Sequence, residues 1–139
     1  MTDEEVWAFL DSSPARPAIL ATTEDDGRPH AVPVWYALDG PTLVFTTGAA
    51  TVTGRARRRD PRVAMGIDDD HPPFSFVAVD GDVELSEDLP EMRRWATIIG
   101  WRHIGAGQAE AFDLRNGVPG ELLVRAHPRR VTPFNDVAL

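Results

Sequence analysis

Short β-prone runs separated by tight-turn signals constrain this chain more than any other feature of its sequence. Two such runs lie at 18–23 and 42–47, and between them the residues at 30–38 alternate between two sets of positions. Asp26-Gly27 and Asp39-Gly40 stand at the connections, where a glycine supplies the positive φ angle that a two-residue hairpin turn needs. We therefore predict that the first part of the chain is a meander of consecutive antiparallel hairpins.

The remainder of the chain adds strands and short helices to this meander. Further β runs occupy 62–67, 74–85 and 121–126, and helical periodicity or capping signals mark 2–11, 49–59, 89–99 and 108–114. Thr2 and Glu5 form a capping box at the first helix. We predict one mainly β (α+β) domain spanning residues 1–139, built as a six-stranded antiparallel barrel or closed sheet with short peripheral helices.

Two residues are unusual for the strands in which they are predicted. Pro33 cannot donate to a strand ladder, so it should lie at an edge, at a bulge, or where a ligand replaces a neighbouring strand. Gly81 indicates a bulge or a close approach of another backbone segment.

Composition excludes several classes of function. The 139 residues are 42% hydrophobic with a net charge of -8, which favours a globular protein and argues against general binding to nucleic acid or to an anionic membrane. No apolar run approaches the roughly 18 residues of a membrane helix, and the acidic N-terminus argues against a signal peptide. The absence of cysteine excludes disulfides and thiolate metal sites. We expect a cytoplasmic protein.

The basic residues of this acidic chain are concentrated in one short stretch. Five of its 14 basic residues, all of them arginine, lie within eight positions: Arg55, Arg57, Arg58, Arg59 and Arg62. The planar guanidinium group offers paired donors to phosphate, so this cluster is a candidate anion site. The alternative is a solvated surface.

A self-contained catalytic set is not evident. The four histidines are scattered, no serine stands in a nucleophile turn, and no glycine-rich nucleotide fingerprint is present. The run Asp68-Asp69-Asp70-His71 lacks the alternating ligands of a calcium loop and is predicted to be an exposed acidic turn, so no metal site is expected. If the protein is an enzyme, a bound cofactor should supply the reactivity.

An ordered set of motifs resembles the pyridoxamine 5'-phosphate oxidase-like split-barrel superfamily. More narrowly, it is similar to the flavin/deazaflavin oxidoreductases that use coenzyme F420. The resemblance covers roughly residues 5–105 and implies a six-stranded split barrel, a homodimer, and a cofactor in the groove between subunits. The motifs that carry it are Leu20-Ala-Thr-Thr23, Asp26-Gly-Arg-Pro-His30, Pro33-Val-Trp-Tyr36, Phe45-Thr-Thr47, Arg59-Asp-Pro-Arg-Val63 and Pro72-Pro-Phe74.

The resemblance also implies roles for individual residues. Pro33, Val34 and Trp35 would lie under the isoalloxazine or deazaflavin ring. Thr46 and Thr47 would approach the ribityl-phosphate arm, with Arg55 on the phosphate. Arg102 would lie near the tail of the cofactor. The full set of implied cofactor-binding residues is Pro33, Val34, Trp35, Thr46, Thr47, Thr53, Arg55, Arg57 and Arg102.

Three positions depart from the pattern of the family. Thr53 stands where the family usually has a phosphate-binding lysine, Ala56 replaces an asparagine, and His103 replaces the tyrosine that follows Arg102. Arg55 or Arg57 could compensate for the missing lysine. Three functions therefore stay open: an oxidoreductase that transfers hydride between F420 and a small organic substrate, an FMN-dependent enzyme like pyridoxamine-phosphate oxidase, and a non-catalytic flavin- or tetrapyrrole-binding dimer.

Overall fold

Seven strands and two helices make up the described part of this computed structural model, which comprises residues 1–49, 51, 54, 59–105 and 117–135. The predicted helix at 108–114 lies outside the described residues, as does most of the one at 49–59. In chain order the elements are α1 (Asp3–Leu10), β1 (Ala18–Thr23), β2 (Pro29–Val34), β3 (Ala37–Asp39), β4 (Thr42–Gly48), β5 (Arg62–Asp68), β6 (Phe76–Ser86), α2 (Leu89–Ile104) and β7 (Glu121–Phe134).

The sheet must curve into a barrel because its two edge strands are joined by only two residues. The strand order is β2-β1-β5-β6-β7-β4-β3, and the pairings between neighbours are antiparallel. In a flat sheet of seven strands the edges would be about 29 Å apart, at roughly 4.8 Å per strand. Trp35 and Tyr36 connect β2 to β3, and the chain from Val34 to Ala37 can span only about 10 Å. The mainly antiparallel β class predicted from the sequence is confirmed.

The predicted strand at 30–38 is two strands, which is why there are seven strands and not six. Its first half pairs with β1 and its second half pairs with β4, at opposite ends of the sheet order. Tyr36 and Ala37 are both buried although they are adjacent, so the alternation of a single flat strand breaks there. The predicted hairpins β1–β2 and β3–β4 form, but they do not continue into one another as a meander.

Strand β7 is longer than predicted and accounts for the close approach at Gly81. The strand runs on from Ala126 to Phe134 along β6, and the register between them shifts at Asp80/Gly81. A Cβ atom on Gly81 would lie 2.6 Å from the carbonyl oxygen of His127. The bulge and the backbone contact predicted for Gly81 are both confirmed.

Two hydrophobic clusters lie on the two sides of the sheet. The larger fills the barrel with side chains from most strands and from α1, including the fully buried Tyr36 and Phe45. The smaller cluster packs α2 against the outer face of β3, β4 and β7 through Met92, Trp95 and Ile99. Helix α2 therefore lies beside the junction between β2 and β3.

Local signals explain where the two helices begin. Thr2 accepts a hydrogen bond from the amide of Glu5, whose side chain accepts one from the amide of Thr2, so the predicted capping box is confirmed. Asp88 caps α2, which extends five residues beyond the predicted end at Ile99 to Ile104. Neither described helix is both long and apolar enough to cross a membrane.

Candidate functional site

The junction between β2 and β3 brings together three of the predicted site residues. Pro33 lies in edge strand β2 opposite Ile19, and Val34 opposite Ala18. The edge position predicted for Pro33 is confirmed. Trp35 is the first of the two residues, Trp35 and Tyr36, that form the break between β2 and β3, and 38% of its surface is exposed. The result is an exposed edge that lacks one amide donor at Pro33 and carries an aromatic side chain beside it.

Tyr36, the second residue of the break, turns inward and closes the barrel. Its hydroxyl donates to the carbonyl oxygen of Leu10 at 2.6 Å, which links the break to the end of α1. Burial raises the pKa of the Tyr36 phenol, and the nearby Arg102 guanidinium partly opposes this shift. The phenol is therefore neutral and serves as a structural hydrogen-bond donor near pH 7.

Arg102 is anchored within the subunit. Its guanidinium donates to the carbonyl oxygen of Tyr36 and, at 2.7 Å, to that of Leu10. It also lies 4.6 Å from the centroid of the Tyr36 ring, and its side chain is only 13% exposed. The structure thus places this predicted site residue directly behind the β2–β3 break, where it joins α1, α2 and the sheet.

His103 packs directly against the predicted cofactor wall. Its ring stacks on that of Trp35, with 5.3 Å between centroids and 8° between planes. Its Nε2 lies 3.2 Å from the amide nitrogen and 2.9 Å from the carbonyl oxygen of Tyr36. Burial lowers the pKa of His103, and the positive charge of Arg102 lowers it further, although the hydrogen bond to Tyr36 raises it.

From the sequence, His103 was noted only as a departure from the family pattern, and its stacking on Trp35 was not predicted. The signal available in the sequence was the position of His103, which directly follows Arg102 and is aromatic in the family. The two ring-bearing residues lie 68 positions apart in the chain. Only the packing of α2 beside the β2–β3 junction brings them together.

Thr46 and Thr47 lie at the end of β4 near the same junction. Ala37, the first residue after the break, pairs with Val44, so Thr46 is only two residues further along β4. Both threonines are partly buried. The hydroxyl of Thr47 lies 3.4 Å from that of Thr51. These threonines therefore follow the part of β4 that pairs with β3.

The turn after β4 is compact. The hydroxyl of Thr51 donates to the carbonyl oxygen of Gly48 at 2.7 Å and accepts from the amide of Gly54 at 3.0 Å. A Cβ atom on Gly54 would clash with the carbonyl oxygen of Gly48, so the backbones of Gly54 and Gly48 are in direct contact. This packing holds Gly54 against the end of β4.

The arginine cluster is described only in part. Thr53, Arg55 and Arg57 lie outside the described residues, so the structure does not test them. Arg59 donates to Asp25 and to the carbonyl oxygen of Thr23. Arg62 pairs with Asp60 at 2.8 Å, and that hydrogen bond raises the pKa of the arginine. The two described members of the cluster are therefore paired within the subunit.

The acidic turn forms a local hydrogen-bonded group. The Nδ1 atom of His71 lies 3.3 Å from Asp69 and 2.8 Å from Asp70. Asp69 also pairs with Arg16 at 3.4 Å, and a hydrogen bond from the His71 amide lowers its pKa. A cation in this turn would have to compete with the guanidinium of Arg16.

Two open cavities lie elsewhere on the described surface. One of about 430 Å³ lies between residues 14–17 and 68–71, and the other, of about 400 Å³, lies between α1 and the β3–β4 hairpin. Neither cavity is lined by the predicted cofactor-binding residues.

The antiparallel sheet curves into a barrel, but its two edge strands, β2 and β3, do not pair with each other. This arrangement defines a split-barrel protein. The family model described as pyridoxamine 5'-phosphate oxidase matches residues 2–134. The chain therefore belongs to the pyridoxamine 5'-phosphate oxidase family, and the predicted split-barrel fold is confirmed. No match is found among curated proteins.

Solved structures show the same fold over nearly the whole chain. The conserved hypothetical protein Rv2991 of Mycobacterium tuberculosis is 26% identical, with a TM-score of 0.84 over 99% of this chain and 86% of that one. A structure described as an F420 reductase is 25% identical, with a TM-score of 0.72 over 90% of this chain and 94% of that one. HutZ, a heme storage protein of Vibrio cholerae, is 16% identical, with a TM-score of 0.72 over 96% and 93%, and shows the fold alone.

The described residues fit the ring portion of a flavin or deazaflavin. The exposed indole of Trp35 offers an aromatic face, and the adjacent edge strand offers backbone groups to a planar polar ring. The hydroxyls of Thr46 and Thr47 suit the polar arm beyond the ring. The charges expected to hold a phosphate lie in the part of the chain that is not described.

Proposed function

We propose that this protein is an oxidoreductase that uses the deazaflavin F420 to transfer hydride to or from a small organic substrate. Membership of the family supports a flavin-like cofactor, and the 25% identity to an F420 reductase over 90% of the chain supports the deazaflavin. The structural observation that carries the proposal is the half-exposed Trp35 at the edge beside Pro33. When bound, the cofactor supplies the hydride chemistry that the side chains of this protein cannot supply.

In this proposal, the residues of the chain bind and orient. Pro33, Val34 and Trp35 form the wall for the ring, while Thr46 and Thr47 bind the polar arm. Arg55 and Arg57 hold the phosphate in place of the lysine that Thr53 replaces. Arg102 supports the wall from behind through the carbonyl oxygens of Leu10 and Tyr36. Of the cofactor-binding residues predicted from the sequence, Arg102 is thus proposed to act on the wall from within the subunit and not on the cofactor directly.

Replacement of Arg55 tests the phosphate site. We expect Arg55→Ala to weaken F420 binding by about 1.5–3 kcal/mol, the range for one charged hydrogen bond, with little change in melting temperature. Isothermal titration calorimetry measures the affinity, and Arg130→Ala is the control because the side chain of Arg130 is largely exposed and paired with Asp80. Unchanged F420 affinity in Arg55→Ala would identify the arginine cluster as a solvated surface.

An FMN-dependent reaction is the second candidate function. The matched family model carries the description pyridoxamine 5'-phosphate oxidase, and the ring wall would accept an isoalloxazine as well as a deazaflavin. The two cofactors differ in the ring and in the tail beyond the phosphate, so their relative affinities decide between the candidates. A non-catalytic role would follow if ligand bound without hydride transfer to any acceptor.

We also propose that the protein is a cytoplasmic homodimer that uses the exposed face of α2. Trp101 is 58% exposed and Ile98 is 36% exposed on this helix, whereas Trp95 is buried within the subunit. Sedimentation velocity should show a dimer for the wild type and a larger monomer fraction for Trp101→Ser. A wild-type protein that sediments as a monomer would contradict the proposed interface.

A further inference from the structure

We infer that His103 is a positioning residue for the cofactor wall: its imidazole, stacked on Trp35 and hydrogen-bonded to the Tyr36 peptide, fixes the plane of the indole. This inference rests on the function proposed above, and it assigns a role to a residue that departs from the family pattern. His103 acts through Trp35 and is not itself expected to contact the reacting atoms.

The strand pairing of the sheet does not fix the orientation of the Trp35 side chain. The residue lies in the break between β2 and β3, where the pairings of both strands stop. Its 38% exposure means that the indole is not enclosed by the core. An exposed tryptophan samples several rotamers unless a neighbour holds it. The stacked imidazole of His103, nearly parallel at 8°, is one such neighbour.

The imidazole is itself held firmly enough to serve as a support. Because Nε2 lies within 3.2 Å of both the amide nitrogen and the carbonyl oxygen of Tyr36, either neutral tautomer makes a hydrogen bond there. The same carbonyl oxygen accepts from Arg102, the preceding residue of α2. Two adjacent side chains in the last turn of α2, Arg102 and His103, thus hold the backbone of Tyr36.

A preformed wall would favour cofactor binding. A tryptophan that must be ordered on binding contributes an entropic cost, whereas an indole already held in place does not. An aromatic pair contributes about 0.5–1.5 kcal/mol beyond the area that it buries, which corresponds to about a two- to tenfold change in affinity. This range sets the effect expected when the ring of His103 is removed.

Protonation of His103 should be visible at Trp35 because the two rings are in contact. Among residues 1–49, 51, 54, 59–105 and 117–135, the charged and titratable groups next to the imidazole are the guanidinium of Arg102 on α2 and the phenol of Tyr36, whose ring centroid is 6.1 Å away. The carboxylate of Asp11, after α1, lies 3.9 Å from Arg102 Nε. The guanidinium is the nearest charge and opposes an imidazolium, which agrees with the lowered pKa of His103.

The test uses the full-length, cofactor-free protein labelled with ¹⁵N at its four tryptophans. Trp35→Phe assigns the Trp35 indole resonance, which is then followed from pH 8 to pH 5. In the wild type we expect this resonance to titrate with a midpoint below about 6.5, the ordinary pKa of histidine. In His103→Ala the titration should disappear and the resonance should shift, whereas His71→Ala, at an exposed histidine, should match the wild type.

Affinity for F420 supplies the second readout. We expect the dissociation constant to rise about two- to tenfold in His103→Ala. His103→Phe retains a ring that can stack, so its affinity should stay within about twofold of the wild type. If the alanine variant fails to fold, as judged by circular dichroism, His103→Gln replaces it because glutamine also lacks an aromatic ring.

The two readouts separate the two hypotheses. A Trp35 resonance that is insensitive to pH and to the removal of the His103 ring would overturn the role of His103 even if F420 binds well. Equal losses of affinity in His103→Phe and His103→Ala would overturn it as well. If F420 does not bind the wild type, the proposed function fails, and a titrating Trp35 resonance would still establish that His103 orients the indole.

Discussion

Replacement of Arg102 by methionine should destabilise the cofactor-free protein by about 2–3 kcal/mol. Arg102 donates to the carbonyl oxygens of Leu10 and Tyr36, and a hydrogen bond from a charged group contributes about 1.5–3 kcal/mol. Two such bonds would suggest about 3–6 kcal/mol. Because the side chain is only 13% exposed, solvent screens these bonds little.

The loss should nevertheless fall below that sum, at about 2–3 kcal/mol, because neither carbonyl oxygen loses its last partner. That of Leu10 still accepts from the Tyr36 hydroxyl at 2.6 Å, and that of Tyr36 lies 2.9 Å from Nε2 of His103. Methionine also retains much of the apolar length of the arginine side chain, which limits the cavity. The corresponding decrease in melting temperature is on the order of 10 °C for a chain of this size.

Urea denaturation followed by far-ultraviolet circular dichroism measures the change in unfolding free energy. Arg130→Met is the matched control, since Arg130 pairs with Asp80 at 3.0 Å on the surface and should change stability by no more than about 0.5 kcal/mol. A stability for Arg102→Met within that same margin of the wild type would refute the anchoring role. If F420 affinity alone fell, Arg102 would instead act mainly as a cofactor ligand.

Three further perturbations test separate parts of the structure. Gly81→Ala should cost about 1–3 kcal/mol because its Cβ would lie 2.6 Å from a backbone oxygen, whereas Gly66→Ala, with nothing within 4 Å, should be nearly neutral in the same urea denaturation experiment. Tyr36→Phe should cost about 1 kcal/mol by calorimetry, since it removes one buried hydrogen bond to Leu10. Because the pKa of His103 is lowered on folding, the contribution of His103 to stability is complete above about pH 6.5 and is lost as pH falls through the folded-state pKa. The difference in unfolding free energy between wild type and His103→Gln should therefore shrink on acidification. A difference that stays constant with pH would contradict this.

Features set by local chemistry could be predicted from the sequence. The capping box of Thr2 and Glu5, the edge position of Pro33 and the close contact at Gly81 each depend on the properties of one or two residues. A missing amide donor or a missing Cβ restricts where a residue can lie, whatever the rest of the fold does.

Features set by tertiary packing could not be predicted in this way. The run at 30–38 has a strand pattern throughout, and only the closure of the barrel shows that it must break at Trp35 and Tyr36. Helix α2 was expected to end at Ile99, which placed Arg102 and His103 in a loop. In the structure both lie in its last turn, where their positions suit the negative end of the helix dipole.

The central claim is that the edge beside Pro33 and Trp35 binds a deazaflavin, and a paired titration with F420 and FMN tests it most directly. Absorbance and fluorescence would be followed on purified wild type and on Trp35→Ala. We expect F420 to bind the wild type at least about tenfold more tightly than FMN, a difference of about 1.4 kcal/mol, and Trp35→Ala to weaken F420 binding. Equal or tighter binding of FMN, or an F420 affinity unaffected by Trp35→Ala, would contradict it.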